Sequence, residues 1–284
     1  MKSSTVKDFY SEIQFNTGDD KIQSTNENLS ITEDIPSKTL QTLLDIEMFM
    51  DVESVTSVLE LGCGNGWLSN RISYHYPLID VTAIDIVENN IEYAKHSETN
   101  ANFFVEDILE TKRTGDLVVS IGALHHIPDI SMPDAIKKAL NCADRFAFIG
   151  LYHKESRDAM FDWFKQYPEE EWYDIFTELT PNFLDDTQRK SWFEDQFYAP
   201  YEQSVTFADL HESCNHPHSC KILSTSIEDG IDFKQRTVDK LNNKEFTSGF
   251  IYTLFDKNPT RDIDEELLKQ RIDHIRTNDP YIYR

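Results

Sequence analysis

Short apolar runs alternate with amphipathic segments through the first half of the chain. Five runs of strand length lie at residues 57–61, 80–84, 102–105, 117–121 and 145–151. Three segments with the apolar spacing of a helix lie among them, at residues 67–74, 88–95 and 133–141. Strands and helices that alternate at this spacing form βαβ units, in which helices cover both faces of a parallel sheet. The pattern therefore predicts an α/β fold.

The alternation ends after residue 151. Residues 153–210 are rich in aromatic and acidic side chains, and prolines at positions 168, 181 and 200 interrupt them. Since proline breaks helices, we predict two or three short helices in this stretch. Two more strands are predicted at residues 221–227 and 249–255, and a charged amphipathic helix at residues 264–276. The complete sheet is therefore predicted to have seven strands, mostly parallel, with a helical insertion after the fifth.

The remaining segments complete the predicted organisation. Residues 16–38 are polar and have the composition of a loop, and a helix is predicted at residues 37–50. We divide the chain into an N-terminal cap segment, a cofactor-binding core, a helical insertion that forms a substrate cap, and the last strands with a C-terminal helix. These four parts are residues 1–40, 41–152, 153–210 and 211–284.

The charge of the chain limits its partners. Among 284 residues, 51 are acidic and 27 are basic, which gives a net charge of -24. This charge repels a phosphate backbone, so we expect no nucleic-acid partner, although acidity also serves solubility alone. No stretch approaches the roughly 20 apolar residues that span a bilayer, so we expect no membrane contact. We expect a cytoplasmic protein whose four cysteines are reduced thiols.

The strongest motif follows the first predicted strand. The sequence there is Glu60-Leu61-Gly62-Cys63-Gly64-Asn65-Gly66, and an amphipathic helix comes next. Glycines allow positive φ and close approach to a ligand, and the helix start offers free N–H groups. The spacing differs from the G-x-G-x-x-G of dinucleotide-binding folds, so a pyrophosphate fits poorly. The Glu60 carboxylate would repel a phosphate and attract an ammonium group.

The second predicted strand ends in an acid, Asp85, 19 residues after Gly66. An acid at this place can accept hydrogen bonds from the two hydroxyls of a ribose. Alternatively, an acid after a strand only caps the next helix. The glycine loop upstream favours the ligand interpretation.

Taken together, the motifs resemble those of the class I S-adenosylmethionine (SAM)-dependent methyltransferases. The segment Glu60–Gly66 is similar to the first motif of that family, and Asp85 to its ribose-binding acid. Residues 106–108 resemble the adenine-contacting turn, and residues 116–127 resemble the fourth-strand motif. The likeness covers about residues 40–152 and implies a Rossmann-like fold with SAM as cofactor.

The resemblance also implies which residues contact the cofactor. The glycine loop borders the methionine part, Asp85 binds ribose, Ile86 flanks the adenine and Asp107 receives its amine. The stretch from Ser120 to His125 faces the reacting methyl group. The complete expected set is Tyr10, Glu60, Gly62, Cys63, Gly64, Gly66, Asp85, Ile86, Asp107, Ile108 and Ser120.

Tyr10 belongs to this set because N-terminal segments often close the cofactor pocket in this family. Its neighbours Phe9, Ile13 and Phe15 equally fit an amphipathic helix that packs on the sheet.

Two histidines, His125 and His126, follow the fourth strand at the sheet edge where ligands of α/β folds gather. With an ordinary pKa near 6.5, either is a candidate general base for a hydroxyl or amine acceptor. Alternatively, the pair only shapes the loop, as in family members whose chemistry needs no base.

The insertion mixes aromatic residues with carboxylates, a combination that suits a cationic or amine-bearing molecule. The same mixture also occurs on the amphipathic face of a packed cap. We predict that the substrate-binding residues are Tyr152, His153, Trp192, Asp195 and Glu202.

A cluster of potential metal ligands occupies residues 211–220. The pattern Cys214-x-His216-x-His218-x-Cys220 contains thiols and imidazoles, which bind zinc. The spacing is tight for four ligands of one tetrahedron, so we predict a plain loop and no metal.

The predicted function is transfer of a methyl group from SAM to a nitrogen or oxygen of a small-molecule acceptor. Two alternatives remain open: a SAM-fold enzyme that transfers a group other than methyl, and a non-catalytic SAM-binding partner subunit.

Overall fold

A computed structural model of the protein describes residues 3–12, 55–97, 99–181, 186–214, 220–225 and 232–258. Seven strands form one sheet in the order β3-β2-β1-β4-β5-β7-β6. The strands are β1 Ser57–Leu61, β2 Asp80–Asp85, β3 Asn102–Val105, β4 Gly115–Ile121, β5 Ala143–Tyr152, β6 Lys221–Thr225 and β7 Phe250–Asp256. Strands β1 to β5 pair in parallel, whereas β7 runs antiparallel to both β5 and β6.

Helices cover both faces of this sheet, which explains the nearly continuous apolar sequence of its central strands. Successive side chains of β1 point to opposite faces, so Leu59 and Leu61 pack in one apolar cluster and Val58 in another. All three side chains are buried.

Nine α-helices are described. They are α1 Ser3–Glu12, α2 Trp67–His75, α3 Glu88–Ala94, α4 Met132–Cys142, α5 Lys154–Phe164, α6 Trp172–Leu179, α7 Asp186–Tyr198, α8 Phe207–Cys214 and α9 Phe233–Asn242. Helix α4 begins at Ser131, whose hydroxyl accepts the Asp134 N–H at 3.3 Å. The Asp232 carboxylate caps α9 in the same way, by accepting the Gln235 N–H at 2.9 Å.

The insertion is helical, as the sequence predicts. Helices α5, α6 and α7, called the cap below, pack together, and α5 packs against α9. Its interior is aromatic: Phe176 contacts Trp192, Phe193 and Phe246 in edge-to-face geometry. The cap therefore has a small core of its own beside the sheet.

The seven predicted strands and the three predicted helices between residues 67 and 141 agree with the structure to within about two residues. Four helices, α5 to α8, begin in the insertion where two or three were predicted, and α9 was not predicted. The predicted boundary between insertion and last strands at 210/211 falls inside α8, which packs on α4. The predicted loop at 16–38 and the predicted helices at 37–50 and 264–276 lie outside the described residues. Within the described ranges, none of the helices is both long and apolar enough to traverse a bilayer.

Candidate functional site

The glycine loop has the backbone that the sequence predicts. Gly62, Gly64 and Gly66 have φ values of +74°, +52° and +76°. The N–H groups of Gly62 and Cys63 donate to the Ile84 carbonyl at 2.9 and 3.0 Å, which fixes the loop to the end of β2. Since side chains disfavour this region of φ, the loop depends on glycine.

Open space lies on one side of this loop. A Cβ atom at Gly62 would lie 2.2 Å from Ala123 Cβ, and one at Gly66 would lie 2.5 Å from Ala94 Cβ. At Gly64 and at Gly122, in contrast, an added Cβ atom would meet nothing within 4 Å. Gly64 follows β1 and Gly122 follows β4, the two strands between which the strand order reverses. Ligands of open α/β sheets bind at this switch point.

Glu60 lies on β1 directly below the loop. Its Oε2 accepts hydrogen bonds from the backbone N–H and the hydroxyl of Ser69, at 3.1 and 2.5 Å. Burial raises the pKa of Glu60 to about 7, and the neighbouring Asp85 adds to the shift. The group therefore titrates near neutrality, where a nearby cation would shift it to the carboxylate.

Asp85 joins the glycine loop to the start of α3. Its Oδ2 accepts the Gly64 N–H and its Oδ1 accepts the Val87 N–H, both at 2.8 Å. The Val87 contact closes a local turn before α3, whose N-cap residue is Val87 rather than Asp85, and the Gly64 contact places the carboxylate beside the open space. Burial raises the pKa of Asp85, and the hydrogen bonds oppose this rise. Ile86 follows and is half-buried.

The other predicted cofactor residues lie around the same edge. The Asp107 carboxylate accepts the Leu109 N–H at 2.8 Å, and Ile108 Cδ1 lies 3.6 Å from a Cβ position at Gly62. The Ser120 hydroxyl is buried and donates to the Leu61 carbonyl at 3.0 Å, so it holds β4 to β1.

Cys63 is also buried, in the small cluster of Ala83 and Ala94 behind the loop. Burial raises the pKa of its thiol, so Cys63 serves packing there.

Tyr10 connects three parts of the molecule. Its hydroxyl oxygen lies 2.7 Å from His126 Nε2, and it donates to Asp195 Oδ1 at 2.8 Å. Tyr10 belongs to α1, His126 to the 3-10 turn Leu124–His126 after β4, and Asp195 to α7. Burial, followed by the Asp195 carboxylate, strongly raises the pKa of Tyr10, so the phenol stays protonated.

The hydrogen bond of His126 Nδ1 shows which ring nitrogen carries a hydrogen when the ring is neutral. Its Nδ1 lies 2.9 Å from the Tyr201 carbonyl oxygen, which only accepts, so Nδ1 carries a hydrogen. Nε2 then faces Tyr10, with Asp195 Oδ1 at 3.8 Å. If His126 is neutral, its Nε2 accepts a hydrogen bond from the Tyr10 hydroxyl. If His126 is charged, its Nε2–H donates to the Tyr10 oxygen, and the Tyr10 hydroxyl donates to Asp195.

His125 has a different environment. Its side chain is buried with 1% exposed, and neither ring nitrogen has a hydrogen-bond partner among the described residues. The ring lies 4.0 Å from the His126 ring and 4.6 Å from the Tyr152 ring, between centroids. Burial, followed by the neighbouring His126 and Arg157, holds the pKa of His125 well below its ordinary value, so the ring is neutral.

A buried arginine organises the cap side of the site. Arg157 on α5 is 2% exposed and binds Glu202 through Nε and Nη2, at 2.7 and 2.6 Å. It also donates to the Gln196 side chain at 3.0 Å, and its guanidinium lies 4.1 Å from the Tyr152 ring centroid. Gln196 in turn donates to the Tyr152 hydroxyl at 2.6 Å and to Asp195 at 2.9 Å.

The structure brings Tyr152, Asp195 and Glu202 together in this network but places His153 and Trp192 elsewhere. His153 lies 4.6 Å from the Phe233 ring, between centroids, at the start of α5. Trp192 packs on Phe176 and Phe246 inside the cap.

The cluster of potential metal ligands at residues 211–220 is only partly described. Cys214 and Cys220 have sulfurs 2.8 Å apart, whereas His216 and His218 lie outside the described residues. Within the described part of the chain, no group of three or more histidine, cysteine or acidic residues is arranged to hold a metal.

Sequence reasoning missed Arg157, Gln196 and Tyr201. A signal for Arg157 exists, because it shares the buried face of α5 with Met160 and Phe164. A charge on an apolar face indicates a buried ion pair. Nothing in the local sequence indicates the roles of Gln196 or of the Tyr201 carbonyl.

Two structures of known proteins share this architecture. Magnesium protoporphyrin IX methyltransferase from Synechocystis, with bound S-adenosylhomocysteine (SAH), has a TM-score of 0.56 and 14% identity over 91% of this chain and 100% of that chain. The plantazolicin methyltransferase BpumL, in complex with a monoazolic desmethylPZN analog and SAH, has a TM-score of 0.50 and 14% identity over 90% of this chain and 98% of that chain. At this identity the likeness shows the fold.

Sequence comparison shows which known proteins the core resembles. A malonyl-[acyl-carrier protein] O-methyltransferase of Acetivibrio thermocellus is 34% identical over 100 residues, 34% of this chain and 35% of the relative. A counterpart in Bacillus anthracis is 35% identical over 77 residues, 26% and 29% of the two chains. The chain thus matches about a third of the length of these relatives. Residues 58–144 match the model of the methyltransferase domain family. Residues 58–144 are thus similar to a methyltransferase domain, and the chain has the Rossmann-like fold of the class I SAM-dependent methyltransferases.

Proposed function

We propose that the protein transfers a methyl group from SAM to a nitrogen or oxygen of a small-molecule acceptor. The observation that carries this proposal is the open space at Gly64 and at Gly122, which follow the two strands at the switch point of the sheet. Glu60 and Asp85 border the same loop, and their carboxylates suit a ligand with an ammonium group and a ribose. The methyltransferase domain match supports the same proposal.

The residues present fit this cofactor. Gly64 and Gly122 leave a cradle that side chains would fill, Asp85 lies beside the loop, and Asp107 follows β3 near the proposed adenine position. SAM, when bound, supplies an electrophilic methyl group on a sulfonium. The chain contributes orientation, since alignment of the acceptor with the methyl group accounts for much of the acceleration in such displacements.

We infer that His126 is the general base when the acceptor needs one. Hydrogen bonding of Nδ1–H to the Tyr201 carbonyl fixes the tautomer and leaves Nε2 to receive a proton, directly or through Tyr10. Asp195 at 3.8 Å would stabilise the imidazolium that results. His125 is the weaker candidate, because its burial opposes the charged form. Its unpartnered nitrogens suit a hydrogen bond to a neutral acceptor group.

The cap supplies the acceptor side in this proposal. Glu202 is paired with Arg157, so its charge is already balanced. Asp195 is the carboxylate that reaches Tyr10 and His126, and we propose that it orients a polar or amine-bearing acceptor. The two relatives are named malonyl-[acyl-carrier protein] O-methyltransferases. Because the match covers about a third of each, it supports methyl transfer without assigning that acceptor.

Isotope-labelled SAM tests the proposal. The protein would be incubated with SAM carrying a labelled methyl group and with fractions of a metabolite extract, and products would be identified by mass spectrometry. A product that gains the labelled methyl, and is not formed by Asp85→Ala, would support methyl transfer. A different transferred group would favour the alternative SAM-fold enzyme. SAM binding by calorimetry without any product would favour the non-catalytic partner. The cytoplasmic location and the lack of nucleic-acid partners stay predictions.

A further inference from the structure

Two thiols lie next to each other, far from the proposed cofactor loop. Cys220 Sγ donates to Cys214 Sγ across 2.8 Å. A disulfide bond is about 2.05 Å long, so formation of the bond requires the two sulfurs to approach by only about 0.8 Å. Cys214 is partly exposed and Cys220 is buried. One sulfur is therefore accessible to a small oxidant, and the other is held behind it.

Separate elements hold the two sulfurs in place. Cys214 is the last residue of α8, which packs on α4, and the preceding Ser213 hydroxyl donates to the Asp209 carbonyl at 2.7 Å. Cys220 lies in the main apolar cluster, directly before strand β6. The proximity thus follows from packing of a helix and a strand.

We propose that Cys214 and Cys220 are a modification site that forms a reversible disulfide with a small-molecule disulfide or another thiol oxidant. With glutathione disulfide, the Cys214 thiolate attacks one sulfur, the glutathione S–S bond breaks, and one glutathione thiolate leaves. The Cys220 thiol then loses its proton to solvent and attacks Cys214 Sγ, so the protein S–S bond forms and a second glutathione leaves. Two protein thiols are oxidised and one glutathione disulfide is reduced to two thiols.

The rate of this exchange should rise with pH. The hydrogen-bonded Cys220 thiol, and then burial, raise the pKa of Cys214, so the attacking thiolate is scarce at neutral pH. The other two cysteines are both buried: Cys63 lies in a different cluster, and Cys142 lies in the same apolar cluster as Cys220. Selective oxidation of the Cys214–Cys220 pair is the expected result.

The cross-link would tie the edge of the sheet to the helical layer. Strand β6 is the last strand of the sheet order. Lys221 pairs with Asp256, and Asp256 pairs with Phe146 near the start of β5. Cys220 therefore lies at the amino-end edge of the parallel strands, opposite the glycine loop. Oxidation should protect β6 while leaving the cofactor loop unchanged.

Alkylation and mass spectrometry test the proposal on the full chain. After treatment with glutathione disulfide at pH 8, the protein should have two hydrogens fewer than the reduced protein. Iodoacetamide should then leave Cys214 and Cys220 unalkylated, and a digest should contain a linked Cys214–Cys220 peptide. Dithiothreitol should restore two additional alkylated thiols. Cys214→Ser should abolish the link, whereas the matched control Cys142→Ser should retain it. Full alkylation of both cysteines after oxidation, or linkage to Cys63 or Cys142 instead, would overturn the proposal.

Two further measurements separate the disulfide from other uses of these thiols. Amide hydrogen exchange in residues 221–225 should slow at least threefold on oxidation, with no change in residues 60–66. Equal exchange in both forms would contradict the cross-link between α8 and β6. Zinc alone, added at one equivalent to the reduced protein, should leave both thiols open to alkylation. Stoichiometric zinc that blocks their alkylation would show a metal site instead and overturn the proposal.

Discussion

Glu60 should make SAM affinity depend on pH, because its pKa is about 7 in the free protein rather than the ordinary 4.5. The shift arises mainly from burial, which disfavours the carboxylate. A bound ammonium group near the glycine loop would favour the carboxylate and lower the pKa again. Proton release from Glu60 would therefore accompany binding at pH values up to about 7, and protonation would weaken binding at low pH.

The magnitude follows from the size of the shift. The difference of 2.5 pH units between 7 and 4.5 corresponds to about 3 kcal/mol at about 1.36 kcal/mol per unit. If binding fully restores the ordinary pKa, SAM should bind about tenfold more weakly at pH 6 than at pH 8. Stability has the related sign: since the folded protein holds this proton more tightly, Glu60 lowers the free energy of unfolding as pH rises from 4.5 to 7.

Isothermal titration calorimetry measures both effects. SAM would be titrated at pH 6 and pH 8 in buffers that differ in ionisation enthalpy, which reveals released protons. Glu60→Gln cannot titrate, so its affinity should be equal at the two pH values and its binding should release no proton from this position. Glu170→Gln changes an exposed glutamate of the insertion and is the matched control, which should behave as the natural chain.

A tenfold pH effect that persists in Glu60→Gln would assign the titration to another group. Equal affinity of the natural chain at both pH values, with no proton release, would refute the link between burial of Glu60 and cofactor binding.

Three further substitutions test the rest of the site. Asp85→Ala should raise the dissociation constant for SAM at least tenfold, since hydrogen bonds of charged groups contribute about 1.5–3 kcal/mol each; an unchanged value by calorimetry would limit Asp85 to the turn before α3. His126→Asn should lower kcat about 100-fold with unchanged SAM affinity, whereas His125→Asn should retain the pH profile of kcat. A changed pH profile in His125→Asn together with an unchanged kcat in His126→Asn would refute the choice of base. Glu202→Gln leaves the Arg157 charge buried without its partner, so urea unfolding should show a loss of about 3–5 kcal/mol, and a loss below about 1 kcal/mol would contradict a structural role.

Local sequence was sufficient for the core of the fold. The strands alternate with helices at regular spacing, and the Rossmann-like fold predicted from this pattern and the family resemblance is confirmed. The glycine loop was equally accessible, since positive φ at Gly62, Gly64 and Gly66 follows from the residue type. These features depend on neighbours in sequence, which is why a pattern along the chain reveals them.

The acceptor side depends on contacts between distant residues, which no periodicity contains. Tyr10 is 116 residues from His126 and 185 residues from Asp195, yet its hydroxyl contacts both. The mixture of aromatic residues and carboxylates predicts that Glu202 faces the acceptor, whereas in the structure Glu202 is paired with Arg157, 45 residues before it. The residue type of Trp192 suits a ligand pocket, but in the structure Trp192 packs inside the cap. Sequence alone does not distinguish a carboxylate that binds a ligand from one that is paired with another side chain of the protein.

The N-terminal helix α1, the core and the cap meet at the single hydroxyl group of Tyr10. Displacement of α1 would break the contacts with His126 and Asp195 in one event, whereas Gln196 would still join the cap to Tyr152 of the core. In the proposed enzyme, the position of one short helix would therefore affect the candidate base and the candidate acceptor carboxylate at the same time.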